Sequence, residues 1–228
     1  MSRVVHILRA GKLSYQKSLN LQKTISSLVF NGEKPNVLIL TEHDPVYTVG
    51  IRTKSYGPEE EQRLKALGAD FFRTNRGGLI TFHGPGQLVV YPVLNLKNFQ
   101  PSVRWYVCHI EKTVIELCRR YGLQAGATED TGVWIGDNKI CAIGIHASRY
   151  VTTHGLALNC NNDLSWFKHI VPCGIEGKGV TSLSVELSRE MKVRAVMEKF
   201  LESFRDVLEC DLVELDSDRQ REIMEQIE

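Results

Sequence analysis

One amphipathic helix, set between two runs of short strands, limits what this chain can fold into. From Ser102 to Tyr121 the apolar residues Val103, Tyr106, Val107, Ile110, Val114, Leu117, Cys118 and Tyr121 recur at steps of three, four and one. Such steps fall on one face of an α-helix. Ser102 is a natural N-cap and Gly122 a natural stop. Ahead of this helix the sequence predicts a strand at Val4–Leu8, a helix at Tyr15–Val29 and strands at Val37–Thr41 and Val46–Val49. A short helix opens at Pro58, whose three following acids complement its dipole, and ends near Gly68. Strands follow at Phe71–Arg73, Leu79–Phe82 and Leu88–Leu94. Beyond the long helix, Val133–Ile135 and Ile140–Ile145 flank a hairpin turn at Gly136–Lys139, and His154–Asn159 is a further strand. Val196, Met197, Phe200, Leu201, Phe204, Val207 and Leu208 mark a late helix, and the tail after Asp216 reads as a surface helix.

Strands and helices in this order do not alternate strictly. The fold class is therefore α+β, a mixed sheet with helices packed on it, with the helix layer expected on one side. No linker rich in Pro, Gly or Ser divides the 228 residues, so 1–228 reads as one domain, with a small C-terminal unit after about residue 184 as the alternative.

Charge and cysteine usage remove several function classes. Net charge is +1, and basic residues are not interleaved with aromatics, so no nucleic-acid partner is expected. No apolar run approaches the roughly 18 residues of a membrane span. The six cysteines form no CxxC pair and the histidines no HxxxH, which argues for free thiols, no metal and no cofactor. Cys108 and Cys118 are expected to pack on the long helix as small hydrophobes. No apolar stripe is left over, which favours a monomer. Residues 1–32 carry Arg3, Arg9, Lys12, Lys17 and Lys23 and no acid. That composition suits a mitochondrial targeting segment within 1–30 and is equally compatible with the strand and helix just named.

Three segments look over-specified for folding alone. Arg76–Gln87 holds four glycines, a backbone that turns tightly and admits close approach, although two β-turns would account for it too. It lacks GxxxxGK[ST], so a phosphate cradle is disfavoured. Asn138–Gly144 starts with Lys139, an ordinary turn lysine unless it has a partner. Val171-Pro172-Cys173-Gly174 places a thiol on irregular backbone, where a nearby ammonium would favour the thiolate.

Taken together these motifs resemble the octanoyltransferases of lipoate biosynthesis. The resemblance rests on Arg76-Gly77-Gly78 with His83-Gly84-Pro85-Gly86-Gln87, on Lys139-Ile140-Cys141-Ala142-Ile143-Gly144, on His154-Gly155-Leu156-Ala157-Leu158-Asn159 and on Pro172-Cys173-Gly174, in that order. It covers about Val4 to Leu208, and Trp166 to Leu183 is most similar to the animal mitochondrial members. It implies a biotin/lipoate protein ligase-type fold and a mitochondrial matrix location. The implied donor is octanoyl-acyl carrier protein, and the acceptors are lipoyl-domain proteins such as glycine-cleavage H protein. Cys173 matches the family nucleophile, and Lys139 the lysine that lowers its pKa and acts as general acid and base. Arg76, Gly77, Gly78, Leu79, Ile80, Thr81, Phe82, His83, Ala142, Ile143, Gly144, Gly155, Leu156 and Ala157 match the residues lining the acyl pocket. Backbone N–H groups near Gly77 and Gly78 are expected to face the oxyanion. The competing readings are an ATP-dependent ligase of the same superfamily, a non-catalytic carrier-binding protein and a thiol hydrolase.

Overall fold

The computed structural model describes residues 3–32, 36–52, 56–170 and 178–225. Cys173 and its neighbours 171–177 lie outside the described residues.

The alternating apolar runs become strands of two sheets. The large sheet comprises β1 (Val4–Leu13), β2 (Asn36–His43), β6 (Gln87–Val93), β7 (Val133–Ile135), β8 (Asn138–Ser148), β9 (Val151–Asn159), β10 (Gly179–Val180) and β11 (Asp211–Glu214). Its order is β10-β8-β9-β6-β2-β1-β11, with β7 also paired to β8. The small sheet runs β4 (Asp70–Arg73), β3 (Val46–Val49), β5 (Ile80–His83). Both sheets mix parallel and antiparallel pairs. In the pair that matters most, β8 and β9 run antiparallel, with Ala142 opposite Ala157 and Gly144 opposite Gly155.

Helices cover both faces of the large sheet, which corrects the expectation of a layer on one side. On one face lie α3 (Val103–Arg120) and α5 (Val193–Leu208). They pack Ile110, Val114, Leu117, Phe200 and Phe204 onto Leu38, Val90, Leu156 and Leu158 in the larger hydrophobic core. On the other face lies α1 (Tyr15–Phe30), whose Leu21, Ile25 and Val29 meet Ile39, Val89, Val93 and Ala157. The small sheet has its own core of Tyr47, Ile80, Phe82 and Phe167, with α2 (Pro58–Lys65) adding Leu64. The strands of the large sheet are buried on both sides, which is why Leu38–Leu40 reads as a continuous apolar run without alternation.

Local signals hold where the sequence placed them. Ser102 Oγ accepts the Trp105 backbone N–H at 3.2 Å, and Ser14 caps α1 through the Lys17 N–H at 3.3 Å. Of the two helix thiols, Cys118 is buried as expected. Cys108 is exposed, because it points from the opposite side of the α3 stripe. Residues 4–30 are built into the fold: β1 is hydrogen-bonded to β2 on one edge and to β11 on the other. The turn ahead of β8 is tighter than expected, since Asn138 and Lys139 already belong to the strand. After residue 184, α5 packs on α3, β11 pairs with β1 and α6 (Ser217–Glu225) follows, so the tail joins the main body. The remaining helix, α4 (Leu183–Glu186), is a single turn capped by Ser182. No helix among the described residues is long and apolar enough to cross a membrane.

Candidate active site

The site lies where β8 and β9 of the large sheet face β5 of the small sheet. Small residues prepare the floor: Ala142 and Gly144 on β8 sit beside Ala157 and Gly155 on β9. A Cβ added at Gly144 would approach Arg76 Cδ at 2.9 Å and Gly77 O at 3.0 Å. The glycine thus lets the Arg76–Gly78 turn rest directly on the sheet. Gly50, just after β3, does the same, since a Cβ there would meet Gly78 O.

Arg76 fixes this turn from within. It is 7% exposed. Its Nη2 donates to Thr48 O at 2.6 Å, Thr48 Oγ1 at 3.0 Å and Leu79 O at 2.9 Å, and its Nη1 donates to Gly77 O at 2.9 Å. A planar guanidinium can satisfy several carbonyls at once, where a lysine would supply only a point charge. The Gly77 N–H donates to Ile145 O at 2.9 Å, so it is committed to the sheet and unavailable to an oxyanion. No such backbone bond ties the Gly78 N–H among the described residues.

The resulting cavity is lined by Arg76, Gly78, Leu79, Thr81, His83, Ala142, Ile143, Gly144, Gly155, Leu156 and Ala157, joined by Tyr15, Val89, Tyr91 and His154. Ile80 and Phe82 do not line it. They alternate with Thr81 and His83 along β5, so their side chains enter the core on the far side of the small sheet. Gly77 lines an adjoining outer cleft of about 380 Å³, together with Gly78, Leu79, Lys139, Ile143 and Gly144. A third, smaller cavity shares Thr81, Ala142 and Ala157 with the first and reaches Lys139 and Asn159. Lys139 therefore lines the outer cleft and the small cavity that adjoins the first at Thr81, Ala142 and Ala157, which places it at the mouth.

Lys139 is only 5% exposed. Its Nζ donates to Thr131 O at 3.2 Å and sits 4.6 Å from the centre of the Trp134 ring. Lys178 lies over the same ring at 4.8 Å. The aromatic face and the carbonyl hold the ammonium in place on β8.

Beside the cavity, on the α1 side of the sheet, lies a group of buried imidazoles. His83 Nδ1–H donates to Gln87 Oε1 at 2.8 Å, and Gln87 Nε2 donates to Asn159 Oδ1 at 2.9 Å. His43 donates through Nδ1 to Leu13 O at 2.7 Å and accepts Tyr91 O–H at 2.8 Å. Burial pushes His83 down to about 3, helped by His43 and Arg76, and pushes His43 down to about 4. His154 also falls to about 3, through burial and then the Arg76 charge. All three are neutral at pH 7, so each works as a fixed hydrogen-bonding group rather than a cation.

The buried thiols are chemically quiet. Burial raises Cys118, Cys160 and Cys210 to about 12 and raises Cys141 as well, although Cys141 is two residues from Lys139. A thiol needs a polar, cationic surrounding to act as a nucleophile, and these four lack it. Among the described residues no group of three or more His, Cys, Asp or Glu is placed to hold a metal ion. Sequence reasoning missed Tyr15, Val89, Tyr91 and His154 as lining residues. His154 stood inside a recognised motif. The others carry no local signal, because only the packing of α1 and β6 against the floor brings them in.

Known proteins share this architecture and sequence. Residues 14–205 match the family described as lipoyl protein ligase A/B catalytic domain. The mitochondrial octanoyl-[acyl-carrier-protein]:protein N-octanoyltransferase of Danio rerio is 59% identical over 212 residues, covering 92% of this chain and 93% of its own. The human protein of that name is 45% identical, covering 93% and 97%. A bacterial octanoyltransferase from Caldanaerobacter subterraneus is 42% identical, covering 93% and 94%. Among solved structures, lipoate-protein ligase A bound with ATP superposes with a TM-score of 0.76 at 18% identity, covering 100% of this chain and 94% of that one. The bipartite lipoate protein ligase of Thermoplasma acidophilum gives 0.72 at 15%, covering 99% and 91%.

Proposed function

The chain belongs to the lipoyl protein ligase A/B catalytic family, among its octanoyltransferases, and we propose that it performs the family's acyl transfer through a thioester on Cys173 assisted by Lys139. It is a mitochondrial acyltransferase that moves an octanoyl group from octanoyl-acyl carrier protein to a lipoyl-accepting protein, the first step of protein lipoylation. The observation that supports the Cys173 mechanism is the position of Lys139: a buried ammonium held at the mouth of a cavity floored by Ala142, Gly144, Gly155 and Ala157.

The cycle is ping-pong. The Cys173 thiolate attacks the carbonyl carbon of the carrier thioester, the carrier thiolate leaves, and an octanoyl-enzyme remains. The ε-amine of the acceptor lysine then attacks, an amide forms, and the Cys173 sulfur is released. Thioester to amide is downhill, so no ATP is consumed. Lys139 stabilises the Cys173 thiolate before acylation. Lowering a thiol by about 1.5 pKa units needs roughly 2 kcal/mol, within reach of one partly desolvated ammonium. Lys139 then relays the proton between the leaving carrier thiol and the incoming amine. Gly78 N–H takes the oxyanion role that Gly77, bonded to Ile145, cannot. The acyl chain lies along the small-residue floor beside Leu79 and Val89, while Ile143 and Leu156 turn their side chains to the α3/α5 core.

The acceptor is glycine-cleavage H protein, and the enzyme works as one monomeric domain over 1–228. Targeting information lies within residues 1–30. Cleavage inside 4–30 would remove an interior strand of the sheet, so any cleavage falls ahead of β1.

The test is intact-mass spectrometry of the protein mixed with octanoyl-acyl carrier protein, without ATP, beside Cys173→Ala. A hydroxylamine-labile octanoyl adduct, present in the wild type and absent from the variant, is the expected result. An intact donor after long incubation would overturn the mechanism, and a strict need for ATP would point to a ligase.

A further inference from the structure

We propose that His154, locked against Asn75, is the end wall of the acyl cavity and sets the length of chain the enzyme accepts; this rests on the reading that the cavity holds the acyl group. Three observations lead to it.

The first is position. Among the described residues His154 alone lines both this cavity and a separate cleft of about 490 Å³ between α1 and the β8–β9 hairpin. The mouth is at the opposite end, where Ala142 and Ala157 are shared with the cavity that reaches Lys139. From Ala157 to His154 is three residue steps of β9, about 10 Å at the usual strand rise. An extended eight-carbon chain spans about 9 Å, from C–C bonds near 1.5 Å in zigzag. The floor between Ala157 and His154 is thus about as long as the octanoyl chain.

The second is cost. His154 has φ of +57°, a left-handed conformation that a non-glycine residue rarely holds. Its Nδ1 is buried with no hydrogen-bond partner among the described residues, and the residue is 4% exposed. Both features oppose folding, and neither serves the sheet, since glycine would satisfy the backbone at this position. A strained and unsatisfied residue at a cavity boundary points to a role at the site.

The third is how it is held. The Nε2–H donates to Asn75 Oδ1 at 2.9 Å, and the backbone N–H donates to Gln22 Oε1 of α1 at 2.6 Å. Asn75 immediately precedes the Arg76–Gly78 turn, so the wall is tied to the loop that roofs the cavity. A chain with two or four more methylenes must break the His154–Asn75 bond and push the ring into the 490 Å³ cleft beside α1. That cleft has room for the excess once the ring is gone.

The experiment compares octanoyl-, decanoyl- and dodecanoyl-acyl carrier protein as donors for wild type, His154→Gly and Asn75→Ala, scoring the ratio of kcat/KM for twelve carbons over eight. Glycine accepts the left-handed backbone, so His154→Gly removes the wall without adding strain. The ratio should rise about tenfold or more in His154→Gly and about threefold in Asn75→Ala, where only the bond holding the ring is lost. A ratio unchanged in folded His154→Gly would overturn the wall. If that variant does not fold, an unchanged ratio in Asn75→Ala, altered at an exposed residue, overturns it instead. Wild-type protein that transfers no octanoyl group would instead sink the acyl-cavity reading itself.

Discussion

The two faces of the large sheet differ in what they bury. The α3/α5 face is mostly dry: its core is aliphatic and aromatic, Thr113 and Ser203 bond to the preceding turn of their own helices, and the buried Tyr106 hydroxyl lies beside Thr152. The α1 face buries His43, His83, His154, Gln22, Tyr15 and Arg76, and their bonds join α1, β1, β3 and β6 to the Arg76 turn. Desolvating polar groups costs stability unless every bond is made, so a fold seeking stability alone would use the dry solution twice. The polar face marks where shape and hydrogen bonding are held for chemistry, and the dry face is the support.

The largest expected effect falls at the mouth on the polar side. Lys139→Met keeps the bulk against Trp134 and removes the charge. Single-turnover acylation from octanoyl-acyl carrier protein should fall about a thousandfold, while the melting temperature moves little. A normal acylation rate would separate Lys139 from the chemistry.

Next is the dry face. Phe200 is fully buried in the α3/α5 core, and Phe200→Ala should cost about 3–5 kcal/mol in urea unfolding. The donor chain-length ratio of the molecules that remain folded should stay unchanged. A shifted ratio would show that the two faces are mechanically coupled, which would break the comparison.

Acid should then distinguish the faces, because the buried histidines are all on one of them. His43, His83 and His154 have folded pKa values near 4, 3 and 3, below the unfolded value of about 6.5. As pH falls the unfolded chain takes up protons that the native protein refuses. Their contribution is therefore fully present above about pH 6.5 and drains as pH falls toward 4, by about 1.4 kcal/mol per pH unit for each histidine. Denaturant titrations from pH 7 to 4.5 should show this slope, and His83→Gln should remove one proton's worth. A flat profile would mean the imidazoles can be protonated in place.

The smallest effect is on the rim of the dry face. Arg120 on α3 meets Glu202 at 2.9 Å and Asp206 at 2.5 Å on α5. Such exposed pairs contribute little, and Arg120→Ala should cost about 1 kcal/mol or less, mostly lost in high salt.

Periodicity alone placed α1, α3, α5 and most strands, because an amphipathic face repeats within a few residues of itself. Val46–Val49 and Val133–Ile135 were legible to the residue. The short strands β10 and β11 were not, since two to four residues with polar members carry no period, and pairing to β8 and β1 alone makes them strands. Helices on both faces could not be read either: a sheet buried on two sides looks the same from sequence whichever side each helix takes.

At the site, sequence determined which residue types were too specific for folding alone: the Arg76–Gly78 turn, Lys139, the small residues of β8 and β9, and Cys173, which lies outside the described residues. Tertiary structure decided their geometry. It turned Ile80 and Phe82 away from the cavity, tied up the Gly77 N–H, and brought Tyr15 and Tyr91 in from α1 and β6. It also set His154 between two cavities. The physical reason is range. Turn chemistry and strand alternation act between near neighbours in the chain, whereas a cavity is the space left between elements far apart in it, and no local pattern encodes that space.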